Sequence, residues 1–207
     1  MDTNWAAQNL QAIRTLMERS AIYRRALAPI MTFTGLVGVV AAVAGWFLSL
    51  ESVRGFAGYW MGVSVLAIAG DYFLVRRQAL KENETFWSPP TRRVTQAILP
   101  ALFVGMVAGL VCIFWVDDQQ TIILLPIIWM LLYGCAIHAA GFFMPRGIRW
   151  FAWGFIVLAC VLLISLRITQ AAVPLKIGHV EMGVFFGLFQ LVYGVYLYFT
   201  EPENNAT

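Results

Sequence analysis

Six long apolar runs alternate with short polar connections, at 26–50, 56–75, 94–116, 121–143, 150–166 and 182–200. A helix rises about 1.5 Å per residue, so about 20 apolar residues cross the roughly 30 Å of bilayer hydrocarbon. The fifth run is short, and its helix is read as extending past Arg167, whose side chain can snorkel outward. The pattern predicts an all-α fold, an integral membrane bundle of six transmembrane helices over 26–200. In residues 1–25, Ala6, Leu10, Ile13, Met17 and Ala21 share one helical stripe, with Arg14, Glu18 and Arg19 off it. Asn4 or Thr3 serves as the cap. This predicts an amphipathic helix on the cytoplasmic membrane surface ahead of the bundle, or equally a helix packed on the inner loops. Residues 201–207 read as a cytoplasmic tail.

Composition strengthens the membrane reading. Of 207 residues, 60% are hydrophobic and 12% charged, and mean hydropathy is +0.75. A soluble domain carries about 25% charged residues. The first run follows a long basic lead and outlasts a signal-peptide core, so the reading keeps it in the mature protein.

Charge placement sets the expected orientation. Eleven of the 14 Lys and Arg residues flank the runs on one side, Arg76, Arg77, Lys81, Arg92 and Arg93 among them. Arg54, Arg167 and Lys176 are on the other. Basic residues resist translocation, so the side with eleven is predicted to be cytoplasmic, with both termini inside. Trp46, Trp60 and Trp115 fall near outer ends of their spans, and Trp150 and Trp153 near an inner end, as an aromatic belt requires.

The connection between runs two and three contains "NETFWSPPTRR", residues 83–93. Phe86 and Trp87 suit the headgroup boundary, and Arg92 and Arg93 suit anionic headgroups. Pro89 and Pro90 are expected to hold extended geometry and stop a helix from running in from the loop. The same residues form a candidate docking surface, because a rigid segment loses little entropy on binding. The two glycosylation sequons, at Asn83 and Asn205, fall on the cytoplasmic side in this topology and are read as accidental.

Small residues recur at helical spacing in five runs: Gly35, Gly38, Ala42 and Gly45 in the first, and Gly183, Gly187 and Gly194 in the last. Gly58 and Gly62 mark the second run, Gly105 and Gly109 the third, and Gly134 and Gly141 the fourth. Such stripes let backbones approach closely in lipid. A shift of 71 residues superposes Gly38 on Gly109 and Gly70 on Gly141, a weak hint of an internal repeat.

Ionisable and polar groups inside apolar runs are costly, which makes them functional candidates. Asp71, His138, Gln190 and Gln96 form the candidate intramembrane polar site. Asp71 and His138 have similar expected depth, so a proton-sensitive pair is geometrically open to them. The bland alternatives are that Asp71 reaches the basic cluster at Arg76, that His138 packs, and that Gln190 glues helices. His179 is placed in the outer loop before the last run. Cys112, Cys135 and Cys160 fall one per run, and read as packing residues rather than disulfide or metal ligands. There is no GxSxG, HExxH, Walker A or dinucleotide fingerprint, so catalysis, a cofactor, a metal and nucleic acid are not expected.

The stretches "LMERSAIYRRALAPI", "FWSPPTRRV" and "LLYGCAIHAAGFFMPRGIRW" resemble a group of bacterial multi-pass inner-membrane proteins with no assigned activity. The resemblance covers most of the chain and implies a bacterial inner membrane. Two functional expectations follow from the residues. One is a non-catalytic regulatory or assembly module with a basic cytoplasmic docking face, in contact with anionic headgroups and a protein partner or a second copy. The other is a small oligomeric transporter or channel with a polar path through Asp71, His138 and Gln190.

Overall fold

A computed structural model describes residues 27–81, 87, 89–144, 147–169 and 173–200. The expected amphipathic helix of residues 1–25, Phe86 and the tail lie outside the described residues. Among those described, the regular elements are all helical: α1 (Leu27–Phe47), α2 (Val53–Lys81), α3 (Pro89–Trp115), α4 (Gln119–Ile122), α5 (Leu124–Ala140), α6 (Gly147–Thr169) and α7 (Leu175–Met182). A π-helical stretch, Gly183–Phe189, then joins α7 to α8 (Gln190–Thr200). With α4 and α5 as one rod, and α7 to α8 as another, six helices among the described residues are long and apolar enough to cross a membrane.

The helix ends differ from the hydropathy runs where local chemistry overrides hydropathy. Helix α2 starts at Val53 because the Ser52 hydroxyl accepts from the Gly55 N–H at 3.1 Å, an N-terminal cap. Pro89 and Pro90 do not hold the chain off helical geometry as expected; they open α3. A first helical turn needs no N–H donor, and proline's fixed φ already matches it. Asp118 caps α4, accepting from the Thr121 N–H and hydroxyl, both at 2.9 Å. Helix α6 continues through Arg167 to Thr169.

The largest correction is at the last rod. It begins at Leu175, not at residue 182, so His179 is a buried helical residue rather than part of an outer loop. Leu175, Gly178, His179 and Met182 are the buried positions of α7, a helical stripe that continues the apolar run upstream.

Cross-element contacts sort the helix ends into two sets. At one end Arg54 meets Asp117 at 3.2 Å, Gln119 Nε2 donates to the Glu51 carbonyl at 3.2 Å, and Lys176 Nζ stands 4.7 Å over the Trp46 ring. At the other, Arg93 faces the Phe143 ring at 5.9 Å and Arg149 the Phe142 ring at 5.3 Å. The rods therefore run up and down. Helix α5 lies between α3 and α6, and Trp129 on α5 donates its indole N–H to the Gly105 carbonyl of α3 at 2.9 Å.

Helix α1 and the last rod lie antiparallel, backbone against backbone. A Cβ built on Gly38 would meet the Phe186 carbonyl oxygen at 2.5 Å and the Gly187 Cα at 2.8 Å. One on Gly194 would meet the Thr32 nitrogen at 2.6 Å, and one on Gly45 the His179 Nδ1 at 2.5 Å. Gly35 presses on the Leu191 backbone, and Gly183 on Ala42. The small-residue stripes of the first and last runs thus meet each other. Gly58 and Gly62 do not take part in any such seam: a Cβ on either meets nothing within 4 Å. The 71-residue pairing joins unlike surroundings, since Gly38 touches backbone and Gly109 the Met61 side chain.

Three apolar clusters fill the interior. Phe56, Trp60, Ile122 and Leu125 pack near the Arg54 end. Ile127, Met130 and Phe155 pack in the middle with Phe185, Phe186 and Phe189. Leu27, Met31, Ile148 and Leu197 pack near the Arg149 end. Outward faces are apolar too: Leu99, Phe103, Leu110, Phe114 and Trp115 of α3 are all exposed. Trp46, Trp115, Trp150 and Trp153 also point outward. Trp60 departs from the belt expected of it and is buried in the core.

Candidate polar sites inside the bundle

Asp71 sits in the second half of α2, toward Lys81, where Gly70 allows the Phe33 ring of α1 to close on the backbone. That approach brings Thr34 within reach. Its hydroxyl donates to both carboxylate oxygens of Asp71, at 2.9 and 3.1 Å. Tyr133 of α5 lies within electrostatic range of the same carboxylate.

Gln190 is 1% exposed, and neither its Oε1 nor its Nε2 has a hydrogen-bond partner among the described residues. It is the first residue after the π-helical stretch. Gly35 against Leu191 sets its level: on these antiparallel helices Thr34 and Gln190 lie one residue to opposite sides of that contact, about 3 Å apart along the axis. Phe186, one turn before Gln190, meets the Tyr133 ring at a centroid separation of 5.5 Å. Asp71, Thr34, Tyr133 and Gln190 therefore share one layer of the bundle.

His138 is elsewhere. Its ring packs edge-to-face on Phe142 at 5.7 Å and on Trp153 at 5.6 Å, and no ion pair joins it to Asp71 among the described residues. Gln96 is exposed on α3. Trp87, Arg92 and Arg93 are exposed near the start of α3.

A second polar group was not foreseen as a site. His179 is 1% exposed. Its Nδ1 accepts from the Trp60 indole N–H at 3.1 Å, and its Nε2 is 3.3 Å from the Leu50 carbonyl oxygen. An indole N–H can only donate, so Nδ1 must be unprotonated and Nε2 carries the proton that Leu50 receives. Phe56 at 4.9 Å and Tyr59 at 6.0 Å wall the ring. Tyr59 in turn donates to the Ala41 carbonyl at 2.6 Å. The Leu50 carbonyl belongs to a turn in which Ser49 adopts φ 49°, a left-handed conformation unusual outside glycine.

Glu181, two residues on, is half-buried with Oε2 unpartnered among the described residues. Starting the last run at residue 182 left both groups in a loop. The signal available was the spacing of Leu175, Gly178 and Met182, which continues the helical stripe of the run. Thr34 carried no signal, since a hydroxyl in an apolar run is common packing.

No group of three or more His, Cys, Asp or Glu side chains suited to a metal occurs among the described residues. Comparison with family models, curated proteins and solved structures finds no match for this chain.

Proposed function

We propose that the chain is an integral protein of a bacterial inner membrane, crossing it six times with both termini cytoplasmic. On this reading it acts as a non-catalytic module whose basic cytoplasmic face docks an acidic protein partner against anionic headgroups. The observation that carries it is the division of charge between the two ends of an outwardly apolar bundle. Arg76, Arg77, Lys81, Arg92, Arg93 and Arg149 belong to one end, and Arg54, Arg167 and Lys176 to the other. An outward surface of this kind suits lipid and is rare on soluble proteins. The backbone seam between α1 and the last rod supports a packed interior.

The test has two arms. With the native cysteines replaced, a cysteine at Asp117 is labelled by an impermeant thiol reagent in intact cells, and a cysteine at Lys81 only after lysis. The reverse pattern refutes the orientation. In the full chain held in nanodiscs, Arg92→Glu with Arg93→Glu then weakens capture of a polyglutamate peptide; unchanged capture removes these residues from the docking face.

One observation favours the transport reading: the unpartnered amide of Gln190 in the layer of Asp71. Flux through liposomes that falls in Asp71→Asn and Gln190→Leu supports a conduit. Equal flux in these variants removes both residues from any path. His138→Phe tests the third residue of that path in the same assay.

A further inference from the structure

We propose that the layer of Asp71, Thr34, Gln190 and Tyr133 is a binding site for one small monovalent cation, a proton or sodium, held by side-chain oxygens. Three observations lead there. Asp71 is a half-buried carboxylate between helices whose hydrogen-bond partner is the single hydroxyl of Thr34. That hydroxyl spends its proton on Asp71, which leaves its lone pairs available. Gln190, at nearly the same level and 1% exposed, offers an amide with both polar atoms unused among the described residues.

A buried polar group without a partner in a native bundle calls for an unseen ligand or a functional role. The groups at this level are oxygen donors: two carboxylate oxygens, a hydroxyl, an amide carbonyl and the Tyr133 phenol. Oxygen ligands suit hard cations. One carboxylate balances one positive charge, and a divalent ion would call for more acidic ligands than this layer holds. The titratable group that bears on Asp71 from a neighbouring helix is Tyr133 of α5; on its own helix the charged residues that follow, Arg76 and Arg77, are exposed one to two turns away. Thr34 is its neighbour from α1.

The π-helical stretch supplies the setting. Its i→i+5 pattern occurs mostly as short bulges, frequently at functional sites, and here it ends where Gln190 begins. The proposal is independent of the basic docking face, so loss of docking in Arg92→Glu leaves it standing.

The experiment uses the full chain in nanodiscs and follows the thermal unfolding midpoint. Sodium chloride is titrated against choline chloride at constant ionic strength, and pH is varied separately without sodium; magnesium serves as the divalent control. A ligand that binds the folded form raises the midpoint. The wild type is expected to respond to sodium, or to pH above the range in which Asp118 titrates, with Asp71→Asn abolishing that response. Gln190→Leu shifts its midpoint by roughly tenfold in concentration, the usual effect of losing one supporting ligand.

A purely structural Gln190 predicts something else: Gln190→Leu raises the unfolding temperature and leaves the titration where it was. That result overturns the proposal. So does a wild type indifferent to both ions, or an Asp71→Asn variant that titrates like wild type. Thr34→Val provides the same reading should Gln190→Leu fail to fold. A response to sodium at fixed pH identifies the ion as sodium; a response to pH alone, with a protonated-carboxyl infrared band lost in Asp71→Asn, identifies it as the proton.

Discussion

The indole N–H of Trp60 donates to Nδ1 of His179 at 3.1 Å, across 119 residues of sequence. This bond, with the Nε2–H directed at the Leu50 carbonyl, ties α2, α7 and the α1–α2 turn together. Trp60→Phe keeps most of the apolar volume but leaves a buried imidazole nitrogen unsatisfied, a loss of about 1–3 kcal/mol. Thermal unfolding in detergent measures it. Nitrogen-15 spectra of wild type should show the Nε2–H tautomer, and an Nδ1–H signal would contradict the assignment.

Glycine substitutions should divide by position. Gly38→Val drives a side chain into the Phe186 carbonyl and the Gly187 backbone, and neither can step aside cheaply. Overpacking of this kind costs about 1–3 kcal/mol or more. Gly62→Ala meets open space and removes a poor helix former, which stabilises by roughly 1 kcal/mol. Unfolding midpoints of the two variants should therefore move in opposite directions.

The cap at Asp118 predicts a pH dependence. The hydroxyl and N–H of Thr121, then the N–H of Gln120, hold its carboxyl below the usual aspartate range. A depressed folded value means the cap's contribution is fully present above the ordinary aspartate range and is lost as pH falls through the lowered value. The Thr121 amide proton shift in NMR should follow this titration, and Asp118→Asn should abolish it while keeping an acceptor in place.

Arg54 and Asp117 make the opposite case. Their side chains are 66% and 85% exposed, and exposed pairs contribute at most about 1 kcal/mol. Arg54→Ala should leave the unfolding midpoint nearly unchanged, and less changed still at high salt. A large loss would show that this end of the bundle is shielded from solvent.

Sequence and structure agree where a single force dominates. Apolar runs of membrane-spanning length place all six rods, because nearly every residue in them is apolar. The stripes from Gly35 to Gly45 and from Gly183 to Gly194 pointed to close backbone approach, and the two stripes fit each other. What escaped the pattern was decided by chemistry that hydropathy does not register. His179 and Glu181 lower the mean of their window, so the run looked as if it started at 182; a hydrogen bond from Trp60 and a stripe through Gly178 keep the helix going upstream. Pro89 and Pro90 look like helix breakers, although a first turn accepts them. The pairing of Thr34 with Asp71 depends on which helices are neighbours, and no local pattern encodes that.

The stretch from Gly183 to Phe189 is wound more loosely than the helix on either side. Tightening it into ordinary α geometry would act like the turn of a screw: everything from Gln190 to Thr200 would rotate about the rod axis and slide along it. Gly187, Leu191 and Gly194 would then lose their register with α1 together, so the close seam with α1 opposes any such rewinding.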